Sequence, residues 1–322
     1  MKSRPERSKP SSVNSLRVRA AWLYHVHGLT QHEVADRLGL SRTTVIRLLD
    51  EAKKLHEVTV WVGGDEDECV ALSLEIENVL GVEEAIVVPS TQSGENAQRA
   101  VGAALGQFLS ETISDGMSVG VGWGRTLNAS LDTFKPLRRE GVSVVSLLGG
   151  SINPSQINPV EYSWRLSSLL GASCFLFLSP LIVDSKETKE RLFDRCGLDR
   201  LLGMARNLDL AVVSCGSLSR NAASLAVEHM STADVEALRS EGCVGDVMCN
   251  FLDRQGNSVG TAINDRVMSV DLDVVASAKH VVLATGGTER AEAMIAAIRR
   301  LRPQTIITDE FAAKAMTALL RN

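Results

Sequence analysis

The sequence is poor in aromatic residues, with 2 Tyr, 7 Phe and 4 Trp among 322 positions. Before position 60 rings are scarce, and Trp22 lies inside a helix-like stretch. Stacking on unpaired bases needs several exposed rings, so duplex rather than single-stranded nucleic acid suits this region. Long apolar runs are missing too. The strongest, at 174–183, is broken by Ser179 and Pro180, and it has about half the ~20 residues that span a bilayer. No membrane span is expected. The opening stretch MKSRPERSKPSSVNS is basic with no apolar core behind it, so it reads as a flexible basic tail and not as a secretory leader.

Six cysteines are present (Cys69, Cys174, Cys196, Cys215, Cys243 and Cys249), and no two are spaced CxxC. None accompanies His25, His27, His32 and His56 at zinc-finger spacing. The thiols are expected to be free, several of them buried, in a reduced cytoplasm. The histidines are expected on helix surfaces. No metal and no cofactor is expected. Neither GxGxxG nor GxxxxGK[ST] occurs, which disfavours NAD and ATP.

What is present is ordinary globular composition, 44% hydrophobic and 23% charged, in a chain long enough for two domains. The net charge is −5, but it is unevenly spread. The first 60 residues hold 11 Lys and Arg against 6 Asp and Glu, so the remaining body carries −10. A basic N-terminal module on an acidic body is the expected asymmetry when one domain alone meets phosphate.

That module reads as three helices. Residues 16–27 have helical apolar spacing and stop at Gly28. Thr30 with Glu33 is a capping-box pattern for a short helix ending near Leu38. Gly39 supplies a left-handed turn, and Ser41 caps a third helix to about Leu55. Ala35 is small where helices must cross, and Val34, Leu38, Leu40, Val45 and Leu48 fix their angle. This is a helix-turn-helix pattern, with the third helix entering the major groove. The candidate DNA contacts are Thr30, Gln31, Ser41, Arg42, Thr43, Thr44 and Arg47. Arginines pair with guanine or phosphate, and threonines meet phosphate or a thymine methyl. Residues 57–62 (EVTVWV) alternate like a strand that would form a wing or lead onward, and GGDEDE at 63–68 reads as linker. The domains are thus a tail at 1–14, a DNA-binding domain at 15–62, a linker at 63–68 and an effector and oligomerisation domain at 69–322.

From position 69 helix-like and strand-like segments alternate. Strands are expected near 84–88, 118–122, 143–148, 174–178, 208–214, 281–285 and 305–308. Helices are expected near 69–80, 96–112, 126–134, 160–170, 185–195, 289–300 and 310–320. The pattern predicts an α/β domain with a mostly parallel sheet, whose ligands bind at the carboxyl ends of its strands. Glycine-rich polar segments follow four of those strands: Gly122, Trp123, Gly124, Arg125 and Thr126; Gly149, Gly150 and Ser151; Cys215, Gly216 and Ser217; Gly286, Gly287, Thr288, Glu289 and Arg290. Arg125 and Thr126 would sit at a helix N-terminus suited to an anion. Four such loops at one end of a sheet make a binding crevice.

The motifs LTQHEVADRLGLSRTTVIRLL, VGVGWGRTL, VVSLLGGS, CVGDVMCNFLDRQGN, INDRVMSVDL, LATGGTERAEAMIAAIR and IITDEFAAKAM run through nearly the whole chain. In that order they resemble the SorC family of sugar-sensing bacterial regulators. The resemblance implies a sugar-phosphate-isomerase-like fold used for sensing, and a homodimer or homotetramer on double-stranded operator DNA. By position it implies effector contacts at Gly122, Trp123, Gly124, Arg125 and Thr126, at Gly149, Gly150 and Ser151, at Asp246 and Arg266, and at Gly286, Gly287, Thr288 and Arg290. Family members commonly have Lys where this chain has Arg290, which changes the geometry available to a phosphate. No Lys lies between Lys135 and Lys186, which disfavours a lysine adduct from the second loop. The effector is a sugar, a sugar phosphate or a polyol.

The leading reading is therefore a cytoplasmic regulator of a carbohydrate or polyol catabolic operon, without catalytic residues. An isomerase- or deaminase-like enzyme fused to a DNA-binding module is the alternative. Asp246, Asp253, Asp309 and Glu310 would be its candidate bases, although capping and turn formation account for such acids as well. A constitutive architectural DNA binder gives no reason for the clustered glycine loops.

Overall fold

The computed structural model describes residues 13–55, 57–58, 67–90, 94–151, 158–218 and 230–321. The basic tail up to position 12, His56, the strand-like 59–62 and the linker positions 63–66 lie outside the described residues. The chain divides into two compact units, Met1–Gly63 and Gly64–Asn322.

The first unit holds helices α1 (Val13–His25), α2 (Gln31–Leu38) and α3 (Arg42–Lys54). Helix α2 starts where sequence places it. Thr30 accepts from the Glu33 backbone N–H while the Glu33 carboxylate accepts from the Thr30 N–H, closing a capping box. It stops at Gly39, whose φ of 66° suits a residue without Cβ. Ser41 then caps α3 by accepting from the Thr44 N–H. Val34, Ala35, Val45, Leu48, Leu49 and Ala52 are buried together with Ala20, Ala21 and Leu23 of α1. Glu57, expected to open a strand, is instead a bend. Its N–H donates to the Ala52 carbonyl, and its carboxylate takes two 2.6 Å hydrogen bonds from Arg17. Those bonds fix the end of α3 to α1.

The Arg17 guanidinium holds the Glu57 carboxyl below the usual carboxylate range. A depressed folded value means that the pair contributes stability above the unfolded pKa, and that this contribution is lost as pH falls through the folded one. Glu57→Gln should therefore lower the melting temperature of this unit at neutral pH. The gap to the parent should close on acidification below the ordinary glutamate value of about 4.3. Thermal unfolding by circular dichroism across that range checks it, and a gap that does not depend on pH would contradict it.

The second unit opens with α4 (Asp67–Leu80), which takes in the last two positions expected to be linker. Its main sheet has seven strands: β1 (Glu84–Val88), β2 (Ser118–Val121), β3 (Ser143–Ser146), β4 (Ser173–Phe175), β5 (Leu210–Val213), β9 (Val281–Ala284) and β10 (Thr305–Asp309). Their order is β1-β10-β9-β5-β2-β3-β4, and every pairing is parallel. LAVV in β5 and VVLA in β9 are wholly buried, as strands covered on both faces must be. One apolar cluster lies under α5 (Gly94–Thr112), α6 (Arg125–Ser130) and α7 (Pro159–Leu170). The other gathers α4, α9 (Leu198–Ala205), α13 (Ala291–Leu301) and α14 (Glu310–Arg321). Helices α8 (Lys186–Arg195), α10 (Thr232–Ser240), α11 (Thr261–Asn264) and α12 (Leu272–Ala276) fill the remaining connections.

A second sheet was not legible in the sequence. Strands β6 (Cys215–Ser217), β7 (Cys243–Val247) and β8 (Asn250–Asp253) pair antiparallel in the order β6-β7-β8. The segment CGS, read as a loop, is therefore a strand. The sheet packs on α13 at Gly245, where an added Cβ would stand 2.4 Å from the Ala293 Cβ and 2.3 Å from the Gly216 carbonyl oxygen.

The cysteines are free; Cys69, Cys215, Cys243 and Cys249 are buried, Cys174 is half-buried and Cys196 is exposed. Of the histidines expected on helix surfaces, His27 and His32 are exposed, whereas His25 is half-buried.

Candidate functional site

The chain path across the main sheet reverses between β5 and β2. From β2 it moves outward through β3 to β4, and from β5 it moves the other way through β9 to β10, which lies beside the first strand, β1. Connections leaving two adjacent strands in opposite directions open a crevice at their carboxyl ends. A cleft lies there. The segment after β2 supplies Trp123, Gly124, Arg125 and Thr126, and the segment after β5 supplies Ser214, Cys215, Gly216 and Ser217. Arg290 comes from the short 3-10 turn Thr288–Arg290 after β9, Gln98 from α5, and Asp246 from β7. Asp246 arrives because β7 pairs it directly with Gly216 of β6.

The lining is polar and internally organised. Thr285, fully buried at the end of β9, ties two segments together. Its hydroxyl oxygen lies 2.7 Å from the Ser214 Oγ and accepts from the Cys215 N–H at 3.0 Å. Burial pushes the Cys215 thiol up to about 12, so it is a neutral group at physiological pH. Asp246 is buried and accepts from the Cys249 N–H at 2.9 Å. That bond closes a two-residue hairpin in which Met248 and Cys249 both have positive φ, 52° and 60°. Two-residue hairpin turns favour glycine or asparagine at such positions, so the Asp246 carboxylate stabilises a costly turn. Asn250 supports it with amide donors to the Val247 and Met248 carbonyls.

Arg290 is held from three sides. Its Nη1 donates to the Gly286 carbonyl at 2.6 Å and to Glu289 Oε1 at 2.7 Å. The Gln98 amide is assigned with its oxygen toward the guanidinium, accepting from Nη1 at 3.0 Å and Nη2 at 2.9 Å. Gly286 makes this possible: a Cβ there would meet the Ala97 carbonyl at 2.8 Å, so only glycine lets α5 come close enough. Gly287, with φ 109°, donates its N–H to the buried Asp309 carboxylate at 2.6 Å.

Six of the residues expected to meet an effector thus line one cleft: Trp123, Gly124, Arg125, Thr126, Asp246 and Arg290. The others stand elsewhere. Gly122 sits just behind, its N–H on the Val212 carbonyl. The segment of Gly149, Gly150 and Ser151 packs on other backbone: Gly149 donates to the Met268 carbonyl and Gly150 to that of Ser179. Arg266 donates from Nε to the Ala262 carbonyl and pairs with Asp234 at 3.6 Å. Gly286 and Gly287 shape the turn from behind, and Thr288 is exposed at its start. Sequence reading missed Gln98 and Ser214. A signal for Gln98 existed, since it extends the stripe of Gly102 and Gly106 that brings α5 against α6.

In the helical unit, Arg42, Thr43, Ile46, Arg47 and Asp50 are exposed on one face of α3. Gln31 Oε1 accepts from Arg42 Nε at 3.3 Å, linking the starts of α2 and α3. Thr30, Ser41 and Thr44 are engaged in capping, and Thr44 is half-buried. Ile46, 37% exposed, was overlooked because apolar residues in an amphipathic helix are ordinarily assigned to its core side.

Comparison with known proteins places both units. Residues 65–318 match the family model named "Putative sugar-binding domain", and residues 14–55 match a homeodomain-like helix-turn-helix model. The transcriptional regulator LsrR of Klebsiella pneumoniae is 30% identical over 307 residues, covering 94% of this chain and 92% of that protein. The chain belongs to the SorC family of sugar-binding transcriptional regulators. The erythritol catabolism regulatory protein EryD of Brucella abortus is 29% identical over 305 residues, 94% of this chain and 96% of that one. The crystal structure of the full-length sorbitol operon regulator SorC from Klebsiella pneumoniae shares the fold, with a TM-score of 0.70 at 22% identity over 94% of this chain and 98% of that one. As a SorC-family member the protein is a DNA-binding regulator governed by a sugar-type effector. Among the described residues no helix is long and apolar enough to cross a membrane, and no group of three or more His, Cys, Asp and Glu is placed to hold a metal.

Proposed function

We propose that α3 reads a duplex operator through Arg42, Thr43 and Arg47, with Ile46 facing a thymine methyl and Gln31 steadying Arg42. The cleft between β2 and β5 is the effector site, and a polyhydroxy ligand there changes operator affinity. The protein acts in the cytoplasm as a homo-oligomer that presents paired recognition helices. One observation carries this reading: a polar cleft at the strand-order reversal occurs in the same chain as a capped helix-turn-helix.

The enzyme reading finds less support. Asp309 is committed to three backbone N–H groups, Asp253 to its own turn and Glu310 to Ser90 and Lys314. Only Asp246 of the four lines the cleft, and it too holds a turn.

The test is operator affinity, by fluorescence anisotropy, with promoter DNA from beside the protein's own gene and a panel of sugars, polyols and their phosphates. A true effector should shift affinity by about 5- to 150-fold. Affinity unchanged by every ligand that binds would overturn the coupling, and product formed from any of them would restore the enzyme.

A further inference from the structure

The following inference deepens the effector reading and rests on it. Ser217 is 7% exposed and lines the cleft, yet its Oγ has no hydrogen-bond partner among the described residues. Its cross-strand neighbour on β7 is Gly245, which offers no side chain. A buried hydroxyl left unpaired is costly, and in native proteins such a group is met by water, an ion or a ligand.

The charges of the cleft point the same way. Its lining has two cations, Arg125 and Arg290, and one carboxylate, Asp246. Glu289, beside the cleft, pairs with Arg290 at 2.7 Å. The Arg290 side chain is 13% exposed, and its guanidinium already meets a carboxylate, a carbonyl and an amide oxygen. The two positive groups are thus matched by two negative ones. A phosphate would have to displace Glu289 from Arg290 and stand near the buried Asp246, and like charges so placed oppose one another. A hydroxyl meets neither obstacle: it can donate to Asp246 and either donate to or accept from Ser217.

We infer that the cleft takes an uncharged polyhydroxy ligand, a free polyol or free sugar in preference to its phosphate ester, and that the Ser217 hydroxyl is its specificity-determining anchor, hydrogen-bonded to a ligand hydroxyl.

The test is calorimetric titration of the full chain with erythritol, xylitol, sorbitol and ribose, each beside its terminal phosphate ester. At least one free compound should bind about tenfold or more tightly than its ester. Ser217→Ala should weaken that binding by about tenfold, the worth of one good hydrogen bond. The melting temperature without ligand should stay the same or rise, because the change removes an unpaired buried hydroxyl. Ser217→Cys, similar in volume but a weaker donor, should fall between. An ester that binds more tightly than its free parent overturns the charge argument and leaves the sensor reading standing. A Ser217→Ala affinity within about twofold of the parent overturns the anchor. If no compound binds, free or esterified, the sensor reading falls and this inference with it.

Discussion

Replacing Arg42 by alanine should weaken operator binding by about 1–3 kcal/mol per recognition helix, roughly 5- to 150-fold. Arg42 is the first residue of α3, exposed, and steered by Gln31 from the start of α2. A side chain held in that way loses less freedom on binding than a free arginine does. Anisotropy titrations at several salt concentrations separate its two possible partners. If Arg42 meets phosphate, the log–log salt slope should fall by about 0.9 and all sequences should weaken alike. If it meets a guanine edge, the slope should hold and discrimination at one base pair should relax. Effector affinity should not change, because Arg42 belongs to the other compact unit. A variant matching the parent in both affinity and slope would remove Arg42 from the interface.

Asp309→Ala should strongly destabilise the α/β unit. The carboxylate is fully buried and accepts from the N–H groups of Gly287, Phe311 and Ala312. It thereby caps α14 and fixes the turn that carries Arg290. Losing a helix cap costs about 1 kcal/mol, and stranding the Gly287 N–H adds the cost of an unpaired buried donor, so the sum is about 2–4 kcal/mol. Denaturant unfolding of the full chain reads this. Asp309→Asn keeps one carbonyl acceptor and should recover part of the loss. In both variants effector affinity should fall, since Gly286 and Gly287 set the position of the Arg290 guanidinium. Parental stability in Asp309→Ala would show that water or main chain replaces the carboxylate.

The helical unit was readable almost residue by residue. Its signals are local: Thr30 caps with a residue three positions on, Gly39 turns by its own φ, and Ser41 caps with Thr44. None of these depends on a distant part of the chain. The seven parallel strands were legible for a related reason, because β5, β9 and β10 are short apolar runs that can be buried only on both faces. The second sheet was not, since CGS, CVGDV and NFLD are too short to show a clear alternation. CGS is a strand because it pairs with β7 across more than 25 positions, and β8 returns on β7 through the turn at Met248 and Cys249.

The amino-acid sequence by itself determined that this protein has a capped helix-turn-helix, a parallel α/β body and polar glycine-rich segments after its strands, because capping, turning and two-sided burial are dictated within a few residues. Only the tertiary structure decided which of those segments share a site. Strand order places the ends of β2, β5 and β9 around one crevice and leaves Gly149, Gly150, Ser151 and Arg266 outside its lining. It also brings Gln98 and Ser214 in, through contacts between segments far apart in the chain.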